Sequence, residues 1–222
     1  MTALVGQQPT MPGTARSRSI PAGSGPADHN RYLLWIDGVG AYLVCLGERV
    51  SIGGPQGDEE HADIALLANL SRRHATFVRA GEGYVLEAHG LTSVAGRPVE
   101  GRALLADGYT IELGGTVRLR FRQPTVLSAT ATLEFESSHR PVRRIDGIVL
   151  MDGTCLMGPG RENHVICPDW DKSVLLYRKD DAFWCKAPGD VFVNGEAHTG
   201  GAAFTAGQVV SGLDFRFRLE AA

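Results

Sequence analysis

The sequence predicts an all-β protein, and three observations carry that prediction. Its 222 residues include 28 glycines and 11 prolines, above the roughly 12% these two residues reach in average usage, so long helices are disfavoured. From Tyr32 onward, short aliphatic and aromatic runs are interrupted roughly every 8–12 residues by turn signals, the rhythm of antiparallel sandwiches. Val117, Leu119 and Phe121 alternate with Arg118, Arg120 and Arg122, the period of a strand with one face in a core and the other in water.

Residues 1–30 contain Pro9, Pro12, Pro21 and Pro26 among small polar residues, with few large apolar side chains. Such a segment buries too little surface to offset its ordering entropy, so it reads as a disordered tail, Arg16-Ser17-Arg18-Ser19 included. The turn signals that follow are Asp37-Gly38, Gly47-Glu48, Gly53-Gly54-Pro55, Gly81-Glu82-Gly83, His89-Gly90, Asp107-Gly108 and Gly114-Gly115. Residues 62–70, ADIALLANL, are good helix formers, with apolar Ile64, Leu67 and Leu70 at helical spacing. Residues 127–136 put Leu127, Ala129, Ala131, Leu133 and Phe135 on one face, the cleanest strand pattern in the chain. The SSHRPVRR stretch that follows, with Pro141, reads as a linker.

Composition excludes several functions. Lys and Arg number 22 against 25 Asp and Glu, and no segment is polycationic, which argues against a general nucleic-acid binder. Apolar runs such as Tyr32 to Ile36 fall far short of the ~20 residues a bilayer requires, so no membrane partner is expected. The N-terminus lacks a basic start followed by an apolar block, and the expected location is the reducing cytoplasm. Cys45, Cys155, Cys167 and Cys185 form no C-x-x-C pair and read as buried structural thiols, with no metal site and no cofactor.

Two halves align. Ile36-Asp37-Gly38 matches Ile145-Asp146-Gly147, and Val50 to Pro55 resembles Cys155 to Pro159. Ser93 to Gly96 resembles Phe192 to Gly195, and Arg118 to Arg122 resembles Asp214 to Arg218. The offset falls from 109 to 96 along the chain, as in a repeat whose second copy has shorter loops. The expected organisation is two tandem β-sandwiches, residues 31–124 and 144–222, with 125–143 as bridging strand and linker.

The first copy resembles a forkhead-associated (FHA) domain. The thread that carries the likeness is Ile52-Gly53, Asp63-Ile64, Ser71-Arg72-Arg73-His74, Gly96, Asp107-Gly108 and Leu113-Gly114. The resemblance implies that residues 62–70 form a strand and loop, against their helical propensity. It also implies a non-enzymatic protein-interaction module whose apical loops take phosphothreonine peptides through Ser71, Arg72 and Arg73. Gly53, His74 and Gly96 would brace the loops, as would Asn194 and Gly195 in the second copy.

Other family positions are substituted. Gly54 stands where the family places its phosphate-binding Arg, Gly90 where it places the peptide-holding Asn, and Ala95 where it places a bracing Asn. Each lost charge-assisted bond is worth about 1.5–3 kcal/mol, so losing two lowers affinity about 100-fold to 10,000-fold. The second copy has Pro159 at the Arg position and Asp169-Trp170-Asp171 where an anion would sit. The expected partner is therefore a protein, with phosphate recognition weakened or lost. The alternative is true phosphothreonine binding through Ser71 and arginines relocated among Arg72, Arg73, Arg97 and Arg102. A Cys- or His-dependent enzyme finds no motif of suitable spacing, so no catalytic residue is assigned.

Overall fold

The computed structural model describes Met1 and residues 30–55, 62–125, 128–180 and 182–222; the expected tail lies outside the described residues. Among these no helix forms. In chain order the strands are β1 (Arg31–Ile36), β2 (Gly40–Cys45), β3 (Arg49–Gly53), β4 (Ile64–Ala65), β5 (Ala75–Ala80) and β6 (Gly83–Ala88). There follow β7 (Thr92–Val94), β8 (Arg97–Pro98), β9 (Arg102–Leu105), β10 (Thr110–Leu113) and β11 (Val117–Arg122). Next are β12 (Ala131–Phe135), β13 (Gly147–Leu150), β14 (Thr154–Gly158), β15 (Val165–Ile166) and β16 (Val174–Lys179). The last are β17 (Ala182–Lys186), β18 (Asp190–Val193), β19 (Glu196–Thr199), β20 (Ala202–Phe204), β21 (Val209–Ser211) and β22 (Arg216–Ala221).

Two five-stranded sheets, β4-β3-β5-β6-β9 and β15-β14-β16-β17-β20, follow the same pairing scheme. Both pack on one twelve-stranded sheet ordered β19-β18-β21-β22-β1-β2-β13-β12-β11-β10-β7-β8. Side-chain alternation selects the two faces. Leu33, Leu43, Ile148 and Leu150 join the core under β3–β11, whereas Leu34, Val44, Val149 and Met151 join the core under β14–β22. Strands buried on both faces read as continuous apolar runs rather than as alternation, which is why RYLLWI and GAYLVC lack a polar face.

The pairing crosses between halves. The last strand of the first half, β11, pairs not with β1 but with β12, as Phe121 opposite Leu133. The last strand of the second half, β22, pairs with β1, as Leu219 opposite Leu34. The strands from β3 to β11 are thus completed by the β12–β13 hairpin and those from β14 to β22 by the β1–β2 hairpin, and the parallel pair β2–β13 joins them, Leu43 opposite Ile148. Tyr84 Oη donates to the carbonyl of Leu150 (3.2 Å) and Arg79 pairs with Asp152 (2.8 Å), which fastens the end of β13 to the first half.

One sequence expectation holds and two change in detail. Residues 62–70 form β4 and a loop, as the resemblance implied, because Leu66 N–H and Gly53 C=O bond at 2.8 Å and continue the sheet rather than a helical turn. The strand expected over 127–136 begins at Ala131; Leu127 lies outside the described residues. Ahead of it, Thr130 Oγ1 donates to Thr154 C=O (2.6 Å) and accepts from Asp152 N–H (2.8 Å), which holds that segment outside the ladder. The arginine row of β11 is only partly solvated. Arg118 is exposed and Arg120 pairs with Glu136, but the Arg122 side chain is 15% exposed, pairs with Glu134 (3.1 Å) and donates to Arg161 C=O (2.8 Å).

Candidate functional site

The apical loops of the first half meet at the ends of β3, β4 and β5. Asp63 Oδ2 accepts from Ser51 N–H (2.8 Å) and Ser51 Oγ (2.7 Å), and this clip holds β4 beside β3. A Cβ on Gly53 would lie 1.9 Å from the carbonyl oxygen of Arg72, so only glycine lets the Ser71–Arg73 loop cross this closely. His74 is 4% exposed and ties three loops together. Its Nδ1 accepts from Ser71 N–H (3.3 Å), which leaves Nε2 to donate to Leu91 C=O (2.9 Å). Its own carbonyl accepts from His89 N–H (2.9 Å) and Gly90 N–H (3.0 Å). Ser71, Arg72 and Arg73 are exposed on this brace, with Leu91 73% exposed beside it.

Positions 54 and 90 are closed to a side chain. Gly54 N–H donates to Ser71 C=O at 3.0 Å, and a Cβ on Gly54 would sit 2.5 Å from the carbonyl oxygen of Leu70. A Cβ on Gly90 would sit 2.5 Å from Cε1 of His74. Backbone and imidazole therefore occupy the space that the first carbon of a side chain at either position would need.

Ala95-Gly96 and Asn194-Gly195 form the tight turns of β7–β8 and β18–β19. Both residues of each turn have positive φ, at 49° and 73° in the first and 50° and 88° in the second, as two-residue hairpin turns of this hand require. Asn194 Oδ1 accepts from Val209 N–H (2.9 Å) while its own N–H donates to Val209 C=O (2.8 Å). Ala95 keeps only the backbone bond, to Thr110 C=O (2.8 Å).

In the second half the loop after Gly158 turns inward. Asn163 and His164 are buried, and Arg122 of β11 caps Arg161 C=O. His164 Nδ1 accepts from Leu156 N–H (2.9 Å). Burial, with the Arg122 guanidinium nearby, pulls its pKa down to about 4. Pro159 thus begins a loop that is folded against the first half. Asp169 and Asp171 are exposed, and Asp171 N–H donates to Asp214 Oδ2 (2.5 Å).

Sequence reasoning rejected His164 as a metal ligand and placed Arg122 in water, and did not foresee that Arg122, Asn163 and His164 meet at one inward-turned loop, because their partners lie on other strands. All four cysteines are unpaired and buried, and burial pushes each thiol up to about 12.

No protein-family model and no curated protein matches the chain. Among solved structures it is similar to the FHA-2 domain of the Mycobacterium tuberculosis ABC transporter Rv1747, with 22% identity over 57% of this chain and 94% of that one, at a TM-score of 0.33. It is similar also to the FhaA FHA domain complexed with the intracellular domain of Rv3910, with 29% identity over 38% of this chain and 92% of that one, TM-score 0.28. A structure from a study of phosphothreonine-dependent FHA domain interactions matches with 28% identity over 38% of this chain and 88% of that one, TM-score 0.28. All three of those structures are of FHA domains. The described residues are all-β, in three sheets.

Proposed function

We propose that this protein is a non-enzymatic protein-interaction module of two FHA-type halves, whose first half docks a partner on Ser71, Arg72 and Arg73 with little dependence on phosphate. One observation carries the reading: the His74 brace presents these three residues and Leu91 outward while Gly54 and Gly90 leave no room for the family's phosphate and peptide contacts. Two missing charge-assisted bonds lower phosphopeptide affinity by about 100-fold to 10,000-fold. The second half supports partner binding poorly, since the loop after Pro159 is covered by Arg122.

A thiol nucleophile is disfavoured, because only the thiolate attacks and all four thiols are buried with raised pKa. Among the described residues no helix is long and apolar enough to cross a membrane. Unpaired buried thiols fit a reducing, cytoplasmic setting.

The test is titration of the full chain against a degenerate phosphothreonine peptide library and its unphosphorylated twin. Comparable affinity for both, weakened by Ser71→Ala and Arg72→Ala but not by Arg118→Ala, is the expected result. A preference for the phosphorylated library of a hundredfold or more would instead establish phosphothreonine reading through Ser71 and rearranged arginines.

A further inference from the structure

The SSHRPVRR stretch is more than a spacer. Leu67 N–H donates to Arg140 C=O (2.9 Å), Val142 N–H donates to Ala65 C=O (3.0 Å), and Leu66 bridges to Pro141, so the β12–β13 connection extends the sheet at the edge of β4. Pro141 is buried in this ladder, and Val142, Arg143 and Arg144 are left exposed. Leu67 and Val142, each 57% exposed, stand on the adjoining rungs.

Beneath lies a cavity of about 300 Å³ whose wall includes apolar Leu33, Leu43, Ala62 and Ile145, with Arg31 and Arg143 also in its lining. That volume is at the low end of the ~300–1,000 Å³ of small-ligand pockets and suits one large apolar side chain. The acid in the lining, Asp63, has its carboxylate committed to Ser51, while its carbonyl accepts from Arg31 Nη1 at 3.2 Å. Arg140 is turned back on its own segment, its Nη1 donating to the carbonyls of Ser137 and His139, each at 2.9 Å. Arg143 is therefore the exposed cation at the cavity, on a chain whose net charge is −3. A cation at the mouth of an apolar cavity selects partners by sign. Pro55, also in the wall, directly follows Gly54, so the cavity adjoins the Ser71–Arg73 surface.

We propose that this cavity takes one large apolar side chain of an acidic peptide segment, with a neighbouring carboxylate of that segment paired to Arg143. The proposal rests on the reading of the chain as an interaction module and names the chemistry of its partner.

The experiment is anisotropy titration of the full chain with two labelled peptide pools, one built from Asp, Glu, Leu and Phe on a Gly/Ser background, the other with Lys replacing every acid. The acidic pool binds, more weakly as salt rises, and the basic pool does not. Arg143→Glu weakens binding about tenfold or more, as loss of a charge-assisted bond requires. Because Arg143 is exposed, its thermal midpoint stays unchanged, which separates lost binding from lost folding. Equal binding of both pools, no binding of the acidic pool, or indifference to Arg143→Glu overturns the proposal. So does binding that emerges only when Asp58, Glu59 and Glu60, which lie between Pro55 and Ala62 in sequence, are replaced by Ser, since the chain's own acids would then be the occupant. Loss with Ser71→Ala and Arg72→Ala but not with Arg143→Glu leaves the interaction module standing and removes this cavity from it.

Discussion

Placing an arginine at position 54 will not create a phosphate site. A Cβ there meets the carbonyl oxygen of Leu70 at 2.5 Å, where ordinary contact begins near 3.4 Å, so that carbonyl must retreat by close to an ångström. The retreat is opposed from two sides. Leu70 is buried, its N–H donates to Ala68 C=O at 2.9 Å, and the same Cβ on Gly54 would also lie 3.2 Å from the Ala68 carbonyl oxygen. Overpacking of this kind costs about 1–3 kcal/mol, and straining the Gly54–Ser71 backbone bond adds about 1 kcal/mol. The expected loss for Gly54→Arg is thus about 2–4 kcal/mol, a large part of the ~5–15 kcal/mol typical of a folded domain. In a urea titration this appears as a midpoint lower by about 1 M or more. Gly54→Ala should lose nearly as much, since the first side-chain carbon makes the clash. Affinity for the phosphothreonine library should not rise. An unchanged midpoint together with a hundredfold gain for phosphorylated peptide would refute the packing argument and show that the loop had room all along.

Three further outcomes follow from the same geometry. Ala95→Asn should raise stability by about 1 kcal/mol in the same urea assay, because asparagine tolerates the φ of 49° better than alanine and supplies the side-chain acceptor that Asn194 provides in the equivalent turn; no gain would mean that the turn is unstrained. His164, held near 4 against an ordinary 6.5, refuses a proton that the unfolded chain accepts. Its contribution is therefore complete above pH 6.5 and is lost as pH falls toward 4, by about 3 kcal/mol. His164→Gln should flatten that part of the stability-against-pH curve, and an unaltered slope would count against the burial. A fragment ending at residue 124 lacks β12, the partner of β11, and should show no cooperative thermal transition, whereas one extended through Met151 should recover it; a folded short fragment would contradict the crossed pairing.

Legibility in the sequence divides along the length scale of the interactions. Ser71-Arg72-Arg73-His74 stood out only through the resemblance, whereas the turn signals and the period-two alternation of β11 were legible because a few neighbouring residues set each backbone path. The closure over Gly54 and Gly90 was not, since it depends on where Leu70 and His74 come to rest. The SSHRPVRR stretch reads as a linker for the same reason: its role at the edge of β4 depends on residues more than seventy positions earlier in the chain. One signal of the crossed pairing is present in the text of the chain, the unbroken apolar runs of β1 and β2, which a strand with one solvated face would not show.

By itself, then, the sequence determined an all-β chain and its turn positions, because dihedral preference and side-chain alternation act within a few residues; the bracing role of His74 came only through the resemblance. Only the tertiary structure decided which hairpin completes which half, since β1 and β12 offer similar apolar strands to β11 and β22, and the choice is made by long-range packing on two faces of one sheet. That choice buries Arg122 against Arg161 and brings Arg143 to the cavity beside Pro55.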